Sequence, residues 1–393
     1  MSTPLPRVYA DHAATSAPKA PGVVDALVRF STGLGATPGR GAYAEAREAG
    51  EVVMRCRRRL RDWIGAQGPS EQVIFGLNCS DALNLGLKGI LHAKAAKRHA
   101  ITTAFDHNSV LRPLHELREI GLAEFTVVAC DPQTGLLDPR EIEKAIRPDT
   151  GLVAINHVSN VTGVVQPIAE IGRMTRAAGI PYLVDAAQSL GHVAVNVEES
   201  CIDLLAAPGH KGLLGPQGTG FLWIRPGVEQ RMRTLREGGT GTQSEAAVQP
   251  DFLPDRFEPG SVNALGIAGL EAAMAWLEAE TQAKLTAHED AICQQFLSGL
   301  RLLPEFTLYG SWEAGNRVST FCIRHPRFQN PHDLSKALEA LGILTRSGHH
   351  CAPLAHQALG TAPLGGATRL SFGAATTEDE VERCLAGLWE VTQ

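Results

Sequence analysis

Between residues 71 and about 225 the chain alternates short, continuously apolar runs with amphipathic stretches, and this pattern constrains the fold most. The apolar runs are Gln72–Gly76, His99–Ala104, Phe125–Ala129, Leu152–Asn156, Tyr182–Asp185 and Gly220–Ile224. The amphipathic stretches between them include Asp81–His92, Ser109–Glu119, Asp138–Ile146 and Pro167–Ala178. A strand that is apolar throughout must be buried on both faces, which a mostly parallel sheet covered by helices provides. The pattern therefore predicts an α/β chain. In such a sheet, ligands meet the polar residues at the strand carboxyl ends.

Beyond this region, residues 227–260 carry Gly-Gly-Thr-Gly and several prolines and read as a loop-rich connection. Ala264–Ala287 reads as one helix able to link two domains. The remainder alternates again: Thr307–Tyr309, Val318–Arg324, Pro331–Leu341, Ile343–Thr345, Thr368–Ser371 and Thr377–Trp389. That is too short for a second doubly wound sheet and fits a small α/β domain. The expected division is a large domain over 16–260 and a smaller one formed by 1–15 and 261–393.

The chain of 393 residues, 44% of them hydrophobic, has enough apolar material for such cores. With a net charge of −6, no basic surface advertises nucleic acid or anionic lipid. The arginine cluster Arg57, Arg58, Arg59 and Arg61 is the local exception and reads as a solvated helix face. No apolar run approaches the roughly 20 residues of a membrane span, and the N-terminus lacks the apolar core of a signal peptide. Eight cysteines are scattered singly, without a CxxC pair. These features predict a cytoplasmic protein with reduced thiols.

Five segments carry chemistry. In Leu204–Ile224 a lysine, Lys211, stands among glycines between two apolar strands. A Schiff-base lysine needs a desolvated pocket and room for a flat cofactor, although such a turn more commonly holds a surface lysine. Asp185 ends an apolar strand, where a buried carboxylate requires a cationic partner such as a pyridinium nitrogen. A helix N-cap aspartate satisfies that segment equally. Gln188, three residues on, could reach a phenolic oxygen. Phe75–Asn84 leads from strand to helix through Cys79 and Ser80, whose amides and hydroxyl suit a phosphate; ordinary capping by Asn78 or Ser80 is the alternative. His107 and Asn160 follow two further strands. One could stack on a flat ring and shuttle protons, and the other could bond a substrate or cofactor oxygen; singly, each is as readily structural.

Together these segments resemble a known family. Asp185-Ala-Ala-Gln188, followed by Gly209-His-Lys-Gly-Leu-Leu-Gly-Pro216, is similar to the class V aminotransferase group of fold-type I pyridoxal 5'-phosphate (PLP) enzymes. Arg346-Ser-Gly-His-His-Cys-Ala352 resembles the SufS-like, group II cysteine desulfurases and selenocysteine lyases. Tyr9-Ala-Asp-His-Ala-Ala-Thr15, Asn156–Gly163, Arg256–Asn263 and Thr368–Gly373 extend the likeness over nearly the whole chain, in order.

The resemblance implies a PLP enzyme that converts L-cysteine to L-alanine and passes the sulfur to a cysteine persulfide. It implies that Lys211 carries PLP, Asp185 faces the pyridine nitrogen, Gln188 the phenolic oxygen, and that His107 stacks on the ring as an acid–base group. Ser80 and His210 match phosphate ligands, with Cys79 in the same turn. Ser261 matches a hydroxyl lent by the neighbouring subunit, hence a homodimer. Asn160 and Arg369 match the substrate carboxylate site, Cys351 the persulfide cysteine, and Arg346 lies near it. A sulfur-acceptor protein is implied as partner. Pro208 replaces a serine that the family often uses for phosphate. Selenocysteine cleavage, another PLP-dependent C–S lyase, and a non-catalytic sulfur-carrier scaffold are the competing readings; intact Lys211, Asp185, His107 and Arg369 oppose the last.

Overall fold

The computed structural model describes residues 7–38, 41–93 and 97–393. The expected N-terminal segment 1–15 therefore lies outside the described residues over 1–6. The strands are β1 (Val8–Tyr9), β2 (Val73–Gly76), β3 (His99–Thr103), β4 (Glu124–Val128), β5 (Thr150–Asn156), β6 (Tyr182–Asp185), β7 (Leu204–Pro208), β8 (Gly220–Ile224), β9 (Thr307–Tyr309), β10 (Thr320–Arg324), β11 (Ile343–Leu344), β12 (Arg346–Gly348) and β13 (Ala367–Ser371). Seven of them form one sheet in the order β2-β8-β7-β6-β5-β3-β4. Only β8 runs against its neighbours, β2 and β7; the rest are parallel. The carboxyl ends of β2, β3, β5, β6 and β7 therefore open on the same edge.

Side-chain alternation divides the apolar strands between two cores. Tyr182, Val184, Leu205, Phe221 and Trp223 pack on one face of the sheet. Leu183, Leu204, Ala206, Leu222 and Ile224 pack on the other. A third core, with Phe296, Phe321 and Phe372 in mutual ring contact, lies under the smaller antiparallel sheet β12-β13-β10-β9. Strand β1 pairs in parallel with β11, Val8 opposite Ile343, so residues at the two ends of the chain share one ladder.

Two expectations fail. The segment beginning at Ala264 is two helices, Ala264–Glu280 and Gln282–Leu300, because Thr281 takes φ 67° and breaks the ladder. Its hydroxyl then caps the second helix by accepting from the Lys284 N–H. The arginine cluster is also no single solvated face. On the helix Ala44–Trp63, Arg57 points inward and is only 2% exposed. Its guanidinium grips both carboxylate oxygens of Glu258, donates to the Val73 carbonyl and lies 4.5 Å over the Phe75 ring. A buried cation is tolerated because that pairing is bidentate. Among the described residues no helix is long and apolar enough to cross a membrane.

Candidate active site

The sheet edge gathers Cys79, Ser80, His107, Asn160, Asp185, Gln188, His210 and Lys211 around one cavity. They arrive from five strand ends. Asp185 closes β6, Asn160 follows β5, His107 follows β3, Cys79 opens the helix after β2, and Lys211 sits in the turn after β7. Pro208, at the end of β7, forms part of the wall.

Asp185 is buried, and one carboxylate oxygen accepts the Ala187 N–H at 2.9 Å and the Cys79 thiol at 3.6 Å. Burial pushes its pKa up, while the Ala187 bond, the Lys211 charge and the Cys79 thiol hold it down. Lys211 is displaced the other way. Burial lowers it, Asp185 and Cys79 oppose that shift, and Arg369 and Arg346 add to it. An acid shifted up and an amine shifted down, side by side in a cavity, mark a site prepared for chemistry.

The helix Cys79–Ala93 begins at the cavity wall, so its first amides have no carbonyl partner within the helix. Asn78 caps it by accepting from the Asp81 N–H at 3.0 Å. His210 contributes a ring whose Nδ1 lies 3.0 Å from the Thr15 hydroxyl; burial, Lys211 and Lys19 push its basicity down to about 4. Gln188 donates to the Ala13 carbonyl at 2.8 Å, which ties the N-terminal segment to the site.

Arg369 and Asn160 meet beside the cavity. One guanidinium nitrogen donates to the Asn160 carbonyl and another to Asp11, both at 2.9 Å. Arg369 Nε and Asn160 Oδ1 are buried without a hydrogen-bond partner among the described residues. Asp11 also takes Arg346 Nε at 3.1 Å, so one carboxylate bridges both arginines. Asp11 and Thr15 stand in the N-terminal motif Tyr9–Thr15. Nothing local in that motif signals partners 335 and 195 positions away.

Cys351 is exposed, in a turn where it and His350 both take positive φ. Its carbonyl accepts the Asn108 N–H at 2.8 Å, and Asn160 holds the His350 carbonyl at 2.6 Å. The thiol-bearing residue lines a neighbouring open cleft whose walls include Ser80, His107 and Ser109, and these three also line the Lys211 cavity. Ser261 is the residue the chain does not bring here. It is exposed and borders a separate cavity with Asp81, Gly218, Arg236 and Asn263. No group of three or more metal-ligating side chains occurs among the described residues.

The whole chain has relatives. A protein of Methanothermobacter thermautotrophicus named probable cysteine desulfurase is 34% identical over 380 residues, 95% of this chain and 92% of that one. A cysteine desulfurase of Yersinia pestis is 32% identical over 391 residues, covering 98% and 93%. The solved cysteine desulfurase of Thermococcus onnurineus NA1 superposes with a TM-score of 0.91 at 31% identity, over 98% of this chain and 94% of that one. The family described as aminotransferase class-V matches residues 8–384. Sequence over the full length and fold agree: the chain belongs to the class-V aminotransferase family.

Proposed function

We propose that this protein is a PLP-dependent cysteine desulfurase that releases L-alanine from L-cysteine and takes the sulfur as a persulfide on Cys351. One observation carries the reading. The cavity of Lys211 and Asp185 and the cleft of the exposed Cys351 share the wall Ser80, His107 and Ser109. That shared wall supports a route by which the sulfur of a substrate held at Lys211 would meet the Cys351 thiol.

The residues present fit PLP. Asp185, buried and pushed up, suits a pyridinium partner, and Lys211 is an amine weakened by burial. The Cys79 and Ser80 amides, with the Ser80 hydroxyl and His210, would hold a phosphate. Gln188 keeps its second amide hydrogen for a ring oxygen, and His107 would cover the ring. When bound, PLP supplies a carbonyl for the substrate amine and a protonated ring that draws electrons from the substrate carbon.

Lys211, with its lowered basicity, takes the α-proton, and Asp185 keeps the ring nitrogen protonated. The unpartnered Nε of Arg369 and the Asn160 side chain orient the substrate carboxylate, with Arg369 aimed by Asp11. Cys351 attacks the substrate sulfur as a thiolate. The new S–S bond forms as the Cβ–S bond breaks, Cβ keeps that electron pair and gains a proton, and Lys211 returns a proton to the α carbon, yielding alanine.

We further propose a homodimer in which each site borrows Ser261 from its neighbour; its place outside the Lys211 cavity of its own chain supports this. A two-domain division at about residue 260 is supported by the separate small sheet, although the helix Ala264–Glu280 packs on the large-sheet core. A sulfur-acceptor protein would meet the exposed Cys351. The unpaired cysteines suit a cytoplasmic setting.

The test is incubation with cysteine, followed by assays for alanine and for persulfide on wild type, Cys351→Ala and Cys79→Ala. Cys351→Ala should keep the cofactor's visible absorbance, form no persulfide and release little alanine. Alanine at the wild-type rate from Cys351→Ala would make the persulfide route wrong and leave another C–S lyase as the better reading.

A further inference from the structure

His107 caps the helix Asn108–Glu119 with its ring: Nδ1 accepts the Ser109 backbone N–H at 3.0 Å. A main-chain N–H cannot reverse its role, so Nδ1 is an acceptor and the neutral ring carries its hydrogen on Nε2. The Ser109 hydroxyl lies 2.9 Å from the same Nδ1 and 2.6 Å from the Ser80 hydroxyl. With no hydrogen on Nδ1 to give, the ring can only accept, so the Ser109 hydroxyl donates and shares the lone pair with the backbone N–H. Ser80 must then donate to Ser109, because two oxygens this close require a hydrogen between them.

The two hydroxyls thus hold two hydrogens, and both are in use. An anion at Ser80 creates a third demand. If Ser80 turns its hydrogen to the anion, the short contact with Ser109 still needs one, and only the Ser109 hydrogen is left. Nδ1 then keeps its backbone donor alone. A donor at Nδ1 favours the neutral ring, so its departure makes the ring easier to protonate.

We propose that Ser109 is a positioning residue that couples occupancy of the anion site at Ser80 to the basicity of His107. The coupling rests on the reading of Ser80 as a phosphate contact and His107 as an acid–base group. It makes His107 a reluctant base while the site is empty and a readier one when the phosphate group is seated. The charged or titratable neighbours of His107 are Arg112 on its own helix, Lys211 after β7, Arg369 on β13 and Cys351 on the loop held by Asn108. Burial and the three cations hold the ring near 4. None of these neighbours changes when the Ser109 hydroxyl is removed.

An anion also attracts a proton to His107 directly, so the experiment must separate the hydroxyl from the charge. Apo protein labelled with 15N at histidine, with His107 assigned through His107→Asn, reports the tautomer and the lone-pair donors of Nδ1 from ring nitrogen shifts at pH 7. Inorganic phosphate is the anion probe. Wild type should show an unprotonated Nδ1 and an Nε2–H, and phosphate should move Nδ1 toward the shift of a free ring nitrogen. Ser109→Ala should show that movement before any phosphate is added, raise the His107 titration midpoint by about half to one pH unit, and respond less to phosphate. Ser109→Thr, which restores the hydroxyl, should return both. A hydrogen on Nδ1 in wild type, or an unchanged Nδ1 shift and phosphate response in Ser109→Ala, would overturn the coupling. That result with intact alanine release from cysteine would leave the desulfurase reading standing, whereas the expected shifts without alanine release would sink that reading alone.

Discussion

Replacing Gly212 by alanine puts a methyl group where the turn carrying Lys211 presses against the turn after β6. A Cβ at Gly212 would stand 2.8 Å from Cδ2 and 3.1 Å from Nε2 of His192, and closer still to the Leu190 carbonyl oxygen. Ordinary carbon contacts begin near 3.5 Å, so relief needs a shift of roughly 1 Å. Neither neighbour yields easily: one is main chain, and the other is buried and bonded to Glu289 at 2.9 Å. Overpacking of this kind costs about 1–3 kcal/mol. The functional loss should exceed the stability loss, because a displacement of about 1 Å at a reacting group can cost on the order of a hundredfold in rate. Gly315→Ala is the control, since a Cβ there meets nothing within 4 Å. Urea unfolding, cofactor absorbance and alanine release should be measured on wild type and both variants. The expectation is a folded Gly212→Ala protein with modestly reduced stability, weakened cofactor retention and alanine release reduced about a hundredfold. Wild-type cofactor content and turnover in Gly212→Ala would refute the view that this close approach aims Lys211.

Three further outcomes are expected. Burial disfavours the charged form of His192, but Glu289 outweighs it and raises the ring above 6.5, while Glu289 itself is held below 4.5 mainly by His192. The histidine's contribution is complete below 6.5 and fades as pH rises through its raised value; the glutamate's is present above 4.5 and fades as pH falls through its lowered value. Glu289→Gln should therefore lose about 1–2 kcal/mol in urea unfolding at pH 6 and visibly less at pH 9, and an equal loss at both would contradict the pairing. Asp185→Asn should still bind PLP yet exchange the cysteine α-proton roughly ten- to a hundredfold more slowly, the effect of a lost charge-assisted hydrogen bond of about 1.5–3 kcal/mol; unchanged exchange would remove Asp185 from its role. Sedimentation should find a dimer, and mixing Ser261→Ala with Lys211→Ala chains should yield some hybrid dimers with one fully furnished site; a stable, fully active monomer would end the shared-site reading.

The alternating apolar runs were enough to determine the α/β class, most strand positions and the polar residues at the strand ends. The reason is local: a strand apolar on both faces can only be covered on both faces, and parallel strands joined by helices bring their carboxyl ends to one edge. Asp185, Asn160, His107, Ser80 and Lys211 share a cavity as a consequence of that topology. The sequence could not indicate that Arg57 turns inward to Glu258, since their neighbours along the chain look like any solvated charges. It also gave no sign that Asp11 spans Arg346 and Arg369, that Ser109 links Ser80 to His107, or that Thr281 breaks a continuous helical pattern. Each of these depends on groups far apart in the chain or on one backbone dihedral, and a hydrogen bond or ion pair leaves no periodic trace when its partners arrive from different elements. Periodicity records which face of an element is buried; only the packing of those faces in three dimensions decided which charges and hydroxyls would meet.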